Sequence, residues 1–238
     1  MKAFSITHAL KFGIHSVIHH FGLVLALFFT VIGSFIGFAL IAVLIFLGPN
    51  LVTIMQSGMQ SITMHIGSFH FFDSVWMVIA LALLAIITIF FMVWIKLGLV
   101  RIALNIYDTS TARVSDLFSE SGVVFSGLIM YILYRVLVAV GLLFFVVPGL
   151  FFLTISWFAP YALVDRKLGP VQAISFSYEL TRNNKLYIFL YILVICIITG
   201  LASLFYGVGL LLVEPILLMA NVYVYKKLLY MHQIQPVR

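Results

Sequence analysis

Residues 123–164 read VVFSGLIMYILYRVLVAVGLLFFVVPGLFFLTISWFAPYALV, and Arg135 is the single charge among them. A helix needs about 20 apolar residues to cross the hydrocarbon core of a bilayer. This stretch is long enough for two crossings. Val147-Pro148-Gly149 sits between them and makes a turn so tight that the two must run antiparallel. The reading is two membrane spans, at about 123–146 and 149–164, folded back as a hairpin.

The same pattern continues on both sides. Apolar runs at about 21–47, 73–99, 186–205 and 209–227 bring the number of spans to six. The first ends at Gly48-Pro49 and contains Gly33 and Gly37, a spacing that lets another helix approach closely. The last two are joined by Tyr206-Gly207-Val208-Gly209. The run from Leu23 to Leu47 is too long for the apolar part of a signal peptide, and no small-x-small cleavage site follows it, so it is read as a span. Composition agrees: the 238 residues are 64% hydrophobic and only 8% charged, with a mean hydropathy of +1.24. A soluble domain needs more polar residues than this to cover its surface. The expected fold is all-α: a polytopic membrane protein, residues 1–238 forming a single integral membrane domain.

Charge placement orients the chain. Apart from Arg135, every Lys and Arg from Lys2 to Arg238 falls on one side of the spans. The positive-inside rule puts that side, with both termini, in the cytoplasm. Residues 48–72 lie on the other face, carry no Lys or Arg, and repeat Leu51, Ile54, Met55, Ile62 and Ile66 at helical spacing. A short interfacial helix with Pro49 near its start is expected there. The net charge of +6 is explained by orientation and by anionic headgroups. No basic arm interleaved with aromatics exists, so nucleic acid is not an expected partner.

An internal repeat is visible. Ala9-Leu10-Lys11-Phe12-Gly13, Ser115-Asp116-Leu117-Phe118-Ser119 and Ala173-Ile174-Ser175-Phe176-Ser177 resemble one another, each several residues before an odd-numbered span. The implied unit is a cytoplasmic amphipathic helix followed by two spans, used three times. In the first, His8, Lys11, His15 and His19 share one face and Leu10, Ile14, Val17, Ile18 and Phe21 the other, as suits a helix lying in the interface plane.

Between residues 147 and 181 the motifs Val147-Pro148-Gly149, Trp157-Phe158-Ala159-Pro160, Asp165, Gly169-Pro170-Val171-Gln172-Ala173 and Ser177-Tyr178-Glu179-Leu180-Thr181 follow in order. Gly98 to Leu104, Ser115 to Phe118, and Pro215 with Tyr223 to Tyr225 extend the pattern over roughly residues 90–230. In these motifs the chain resembles the glycerophosphodiester phosphodiesterase membrane-domain superfamily, which includes the YciC-type bacterial inner-membrane proteins. The resemblance implies six helices in a bacterial inner membrane and leaves the activity open. The phosphodiesterase in the family name belongs to a fused soluble domain, and no such domain occurs among these residues.

Three groups of residues invite a chemical reading. Arg135 and Glu214 are the two charges deep inside spans. A charge there is costly, so each should face the bundle interior with a partner, and a buried pair or polar centre formed by both is expected. Asp165-Arg166-Lys167 and Arg182-Asn183-Asn184-Lys185 have the composition of a phospholipid headgroup site, or of a solvated turn with orienting charges. His15 and His19 have the i, i+4 spacing of metal ligands, but an interfacial polar face explains them as well. The same holds for Met55, Met59, Met64, His65 and His70. No metal site or cofactor is expected. The lone Cys196 reads as a small buried side chain. Nucleophile-elbow, phosphate-loop and HExxH motifs are missing.

The expected function is therefore non-enzymatic: binding of membrane lipids or of another membrane protein, in support of envelope assembly or homeostasis. The alternative is a small-substrate transporter or channel with its polar centre at Arg135 and Glu214.

Overall fold

The computed structural model describes residues 4–57, 71–205 and 208–234, all helical or connecting, with no strand among them. The elements in chain order are α1 (Ile6–His19), α2 (Phe21–Ser57), α3 (Phe71–Thr109), a 3-10 segment (Val114–Val123), α4 (Val124–Phe144), α5 (Val146–Ser156), α6 (Ala159–Arg166), α7 (Pro170–Thr181), α8 (Lys185–Ser203) and α9 (Val208–Ile234). Six stretches are long and apolar enough to cross a membrane: Phe21–Ala42, Ala82–Thr109, Val114–Phe144, Val146–Arg166, Lys185–Ser203 and Gly209–Ile234. In lipid every backbone polar group must be satisfied within the protein, and helices alone achieve that segment by segment.

The order is a short element followed by two spans, three times over. The short elements are α1, the 3-10 segment and α7. First and third share a register: Ala9, Gly13 and Ser16 are buried on α1, and Ala173, Ser177 and Leu180 on α7. The middle one departs from it, because its chain kinks at Glu120 (φ −88°, ψ 21°) and buries Leu117 and Glu120 instead.

Several boundaries differ from the sequence reading. The first long helix does not stop at Gly48-Pro49 but runs to Ser57. A proline costs a helix one hydrogen bond, whereas unravelling in lipid exposes many backbone groups. The expected interfacial helix thus begins as a continuation of α2; the rest of that segment, with Met59, Met64, His65 and His70, lies outside the described residues. Helix α3 continues ten residues past Leu99 to Thr109, so Arg101, Asn105 and Asp108 are helical; it ends only at Ser110, whose φ is 55°. Helix α9 likewise passes Pro215 and Lys226-Lys227 to reach Ile234.

The fourth span is broken. Pro160, near the start of α6, has no N–H to continue the ladder, and the chain turns at Trp157-Phe158. Ser177 from α7 fills the gap: its hydroxyl donates to the Ile155 carbonyl at 2.6 Å and accepts the Phe158 N–H at 3.2 Å.

The chain forms two compact units, residues 29–92 and residues 1–28 with 93–238. In the smaller, Phe38 stacks on Phe91 at 5.7 Å and Phe35 meets Phe91 edge-on. Ser34 and Thr88 return their hydroxyls to their own helices, donating to the carbonyls of Thr30 and Leu84 at 2.7 Å, the usual way a hydroxyl is satisfied in lipid. Among the described residues nothing is seated on Gly33 or Gly37.

The larger unit holds the tightest helix approaches. α1 lies along α9, and a methyl group on Gly13 would collide with the Ile216 carbonyl. Likewise a methyl group on Gly98 of α3 would overlap the Leu117 carbonyl of the 3-10 segment. Fully buried within this unit are Leu97, Leu104, Leu117, Phe158, Ile188, Tyr191 and Tyr225.

Candidate functional site

The interior of the larger unit carries a polar, aromatic centre. Asn221 on α9 is 8% exposed. Its Oδ1 accepts hydrogen bonds from Trp157 Nε1 at 3.1 Å and from the Tyr191 hydroxyl at 3.0 Å. Two donors on one oxygen fix which way the amide points. Tyr161 stands beside it and stacks on Tyr225 at 5.9 Å, with Phe158 packed against both. Four elements thus meet on one side chain: the α5–α6 break, α6, α8 and α9.

Toward the end of α9 the centre becomes ionic. The Tyr225 hydroxyl donates to Asp165 Oδ2 at 3.0 Å. Lys226 Nζ donates to Asp165 Oδ1 at 2.9 Å and to Asp108 Oδ2 at 2.8 Å. One lysine therefore ties the ends of α3 and α6 to α9. A second cluster lies on the 3-10 segment. The Glu120 side chain is 1% exposed, and its Oε1 accepts from Arg101 Nε at 2.6 Å. Its Oε2 has no hydrogen-bond partner, and Lys167 Nζ stands 3.7 Å away. A buried carboxylate needs such cations to remain charged. Asp116 accepts from Asn105 Nδ2 and from the Arg113 N–H, each at 3.1 Å.

The expected pair of Arg135 and Glu214 is not formed. No ion pair joins them, and both side chains are exposed on the protein surface. Helices α4 and α9 are not packed along one another, which removes the helix contact that pairing requires.

The seven residues of the expected headgroup site divide into two groups at opposite ends of α7, a helix about 18 Å long. At one end Asp165 is held by Tyr225 and Lys226, the Arg166 guanidinium lies 4.4 Å over the Phe176 ring, and Lys167 approaches Glu120. At the other end Lys185 Nζ lies over the rings of Phe151 and Tyr178 at 4.6 and 5.0 Å, while Arg182 and Asn183 are exposed. Asn183, Asn184 and Lys185 line a cavity of about 230 Å3 with Leu186, Tyr187 and Leu190. His15 and His19 stack at 6.4 Å; among the described residues no group of three His, Cys, Asp or Glu side chains is placed to hold a metal ion. Cys196, expected to be buried, is exposed.

The sequence reading missed Asn221, Tyr191 and Glu120. A lone amide in the apolar run of α9 was the available signal, since such a residue in a span normally finds a partner. Glu120 gave no such signal, because it lies between two apolar runs, where a charge is ordinary.

No family model matches the chain, and no curated protein or solved structure matches it either.

Proposed function

We propose that the chain is a non-enzymatic, multi-pass protein of a bacterial inner membrane, with both termini cytoplasmic, which binds anionic lipids or a membrane-protein partner in support of envelope assembly. The resemblance to the YciC-type proteins and the one-sided placement of Lys and Arg support the location and orientation.

One observation carries the binding reading: how the charges at the basic ends of the helices are used. Asp108, Asp116, Glu120 and Asp165 are engaged by partners inside the protein. Lys11, Lys96, Arg113, Arg182 and Lys227 keep exposed side chains. Four of the acids are thus held by partners, although Asp108 and Glu179 stay exposed, while five cations are exposed, leaving a rim of net positive charge. A basic residue at an anionic membrane surface contributes about 1 kcal/mol to attraction, so several together favour anionic headgroups or an acidic partner.

Native mass spectrometry of the protein released from nanodiscs containing equal phosphatidylglycerol and phosphatidylcholine tests this. Preferential retention of phosphatidylglycerol, weakened when Lys96, Arg182 and Lys227 are changed to Gln, is expected. Equal retention of the two lipids would count decisively against it.

A further inference from the structure

Arg135 stands near the middle of α4, a helix of 21 residues with no other charge. A helix of that length rises about 31 Å, the thickness of the hydrocarbon core, so neither headgroup layer is close to it. The side chain faces outward in a stripe with Ile132 and Val136, each 53% exposed, and Val140, 46% exposed. Glu214 is exposed on α9 beside Leu211 and Leu212, which are 43% and 66% exposed. A charge on the lipid-facing middle of a span is costly, and such residues normally pair with an opposite charge or face water.

One chain offers neither of them a partner. Among the described residues no ion pair includes Arg135 or Glu214. They are the two charges at this depth in the larger unit. Residues 29–92 carry Asp73 and no Lys or Arg, so the smaller unit holds no cation for Glu214.

A second copy does offer partners, because depth matches between copies. All copies enter the membrane the same way round, so a level counted from one face applies to each. The face opposite the Lys and Arg residues holds the end of α4 at Phe144 and the start of α9 at Val208. Arg135 lies about 14 Å from the first and Glu214 about 9 Å from the second, a difference of about 5 Å that the two side chains together can bridge. Ala139, exposed one turn beyond Arg135, is small enough to let a neighbouring helix come close.

We propose that two copies of this chain associate side by side in the membrane, with Arg135 of one in an ion pair with Glu214 of the other. About a two-fold axis along the membrane normal the pair forms twice and the assembly closes. Guanidinium and carboxylate make strong charge-assisted bonds, and both charges leave lipid together. The partner is a second copy because the two exposed charges are opposite in sign, close in depth and carried by one chain. The interface rests on the spans and does not depend on the basic rim.

Full chains labelled at the N-terminus with donor or acceptor dye, reconstituted in phosphatidylcholine liposomes, give the test. Without anionic lipid the basic rim has no headgroup to attract. Energy transfer is expected to exceed the level of random proximity at the same protein density. Arg135→Gln and Glu214→Gln are each expected to weaken association at least tenfold, and Lys96→Gln with Lys227→Gln to leave it unchanged. Charge reversal gives the sharpest comparison. Arg135→Glu sets Glu against Glu across the interface, and Glu214→Arg sets Arg against Arg, so neither variant is expected to associate with itself. Mixed together, the two variants restore both opposite pairs, and transfer between them is expected to return. A pair formed within one chain cannot produce that rescue. Transfer by the parent at the random level, neutral variants that associate like the parent, or reversed variants that associate no better mixed than alone overturns the proposal. If a reversed variant fails to fold, the parent and the two neutral variants decide it.

Discussion

The Ser177 hydroxyl, on α7, donates to the carbonyl of Ile155, at the end of α5, across 2.6 Å of buried interior. The same oxygen accepts the Phe158 N–H. The break at Trp157-Phe158 leaves backbone groups unpaired in a setting without water. The third short helix brings the one side chain that serves both. A hairpin segment outside the fourth span is thereby part of that span's hydrogen bonding. Changing Ser177 to Ala leaves a buried donor and a buried acceptor unmet. Each such group costs about 1–3 kcal/mol, so a clear drop in thermal stability in nanodiscs is expected. Ser177→Thr should retain most of the stability if its methyl group is accommodated. A Ser177→Ala protein as stable as the parent would show that the break is satisfied some other way.

Asn221 is the hub of the aromatic centre. Asn221→Leu leaves both Trp157 Nε1 and the Tyr191 hydroxyl without their acceptor. Tyr191→Phe removes only one of these bonds and leaves no donor stranded. The leucine variant is therefore expected to lose more stability than the phenylalanine variant, by about 1–3 kcal/mol. Unfolding of the two variants under identical detergent conditions gives the comparison, and equal losses would contradict the hub role.

Glu120 and Arg101 form the most enclosed ion pair among the described residues, with the Glu120 side chain 1% exposed. Removing one partner of a buried pair strands the other charge and costs about 3–5 kcal/mol. Arg101 is 24% exposed and can recover some hydration, so the lower end of that range applies to Glu120→Ala. Replacing both by Met should be milder than either single change. Denaturation of the three variants gives the order, and a double variant worse than both singles would refute it.

Gly98 is expected to tolerate no side chain. A methyl group there would overlap the Leu117 carbonyl, which is backbone and cannot rotate away. Gly98→Ala should push α3 off the 3-10 segment and weaken the Arg101–Glu120 pair one turn further along. Gly122→Ala, with open space around it, serves as the control. Protease accessibility of residues 113–123 is expected to rise in the first and not in the second.

Within one chain, Arg135 and Glu214 are expected to behave independently. They are exposed and unpaired with each other. Sites that share no contact add within about 0.3–0.5 kcal/mol. A double-mutant cycle of Arg135→Leu and Glu214→Gln on the monomer, in excess detergent, should give a coupling no larger than that. A coupling well above it would mean that the two charges meet within the chain.

Much of the architecture was legible without coordinates, because lipid imposes a one-dimensional rule. Apolar length decides which segments can span, and local breakers decide where the chain turns. The hairpin of the third and fourth spans and the three-fold order of a short element with two spans follow from that rule, but the turn itself lies at Phe145, and Val147-Pro148-Gly149, read as the turn, forms the first turn of α5 instead, where a proline has no helical N–H to lose. Helix ends were less legible: α3 passes Leu99 to Thr109 and α9 passes Lys227 to Ile234, because a helix need not stop where its apolar run stops.

The sequence by itself determined the class of fold, the presence of six spans and the one-sided placement of positive charge, since each depends on residues close together in the chain. Which charges meet was decided only by the tertiary structure. Arg135 and Glu214 stood out by depth and yet remain apart, while Glu120, Asp165 and Asn221 gained their partners from segments up to 64 residues away. His20 shows the same division: its ring is an ordinary histidine in the sequence, and only the fold brings the Ser110 carbonyl, 90 residues away, to its Nε2. Spanning is a property of one helix against lipid, whereas pairing depends on distance and direction between helices.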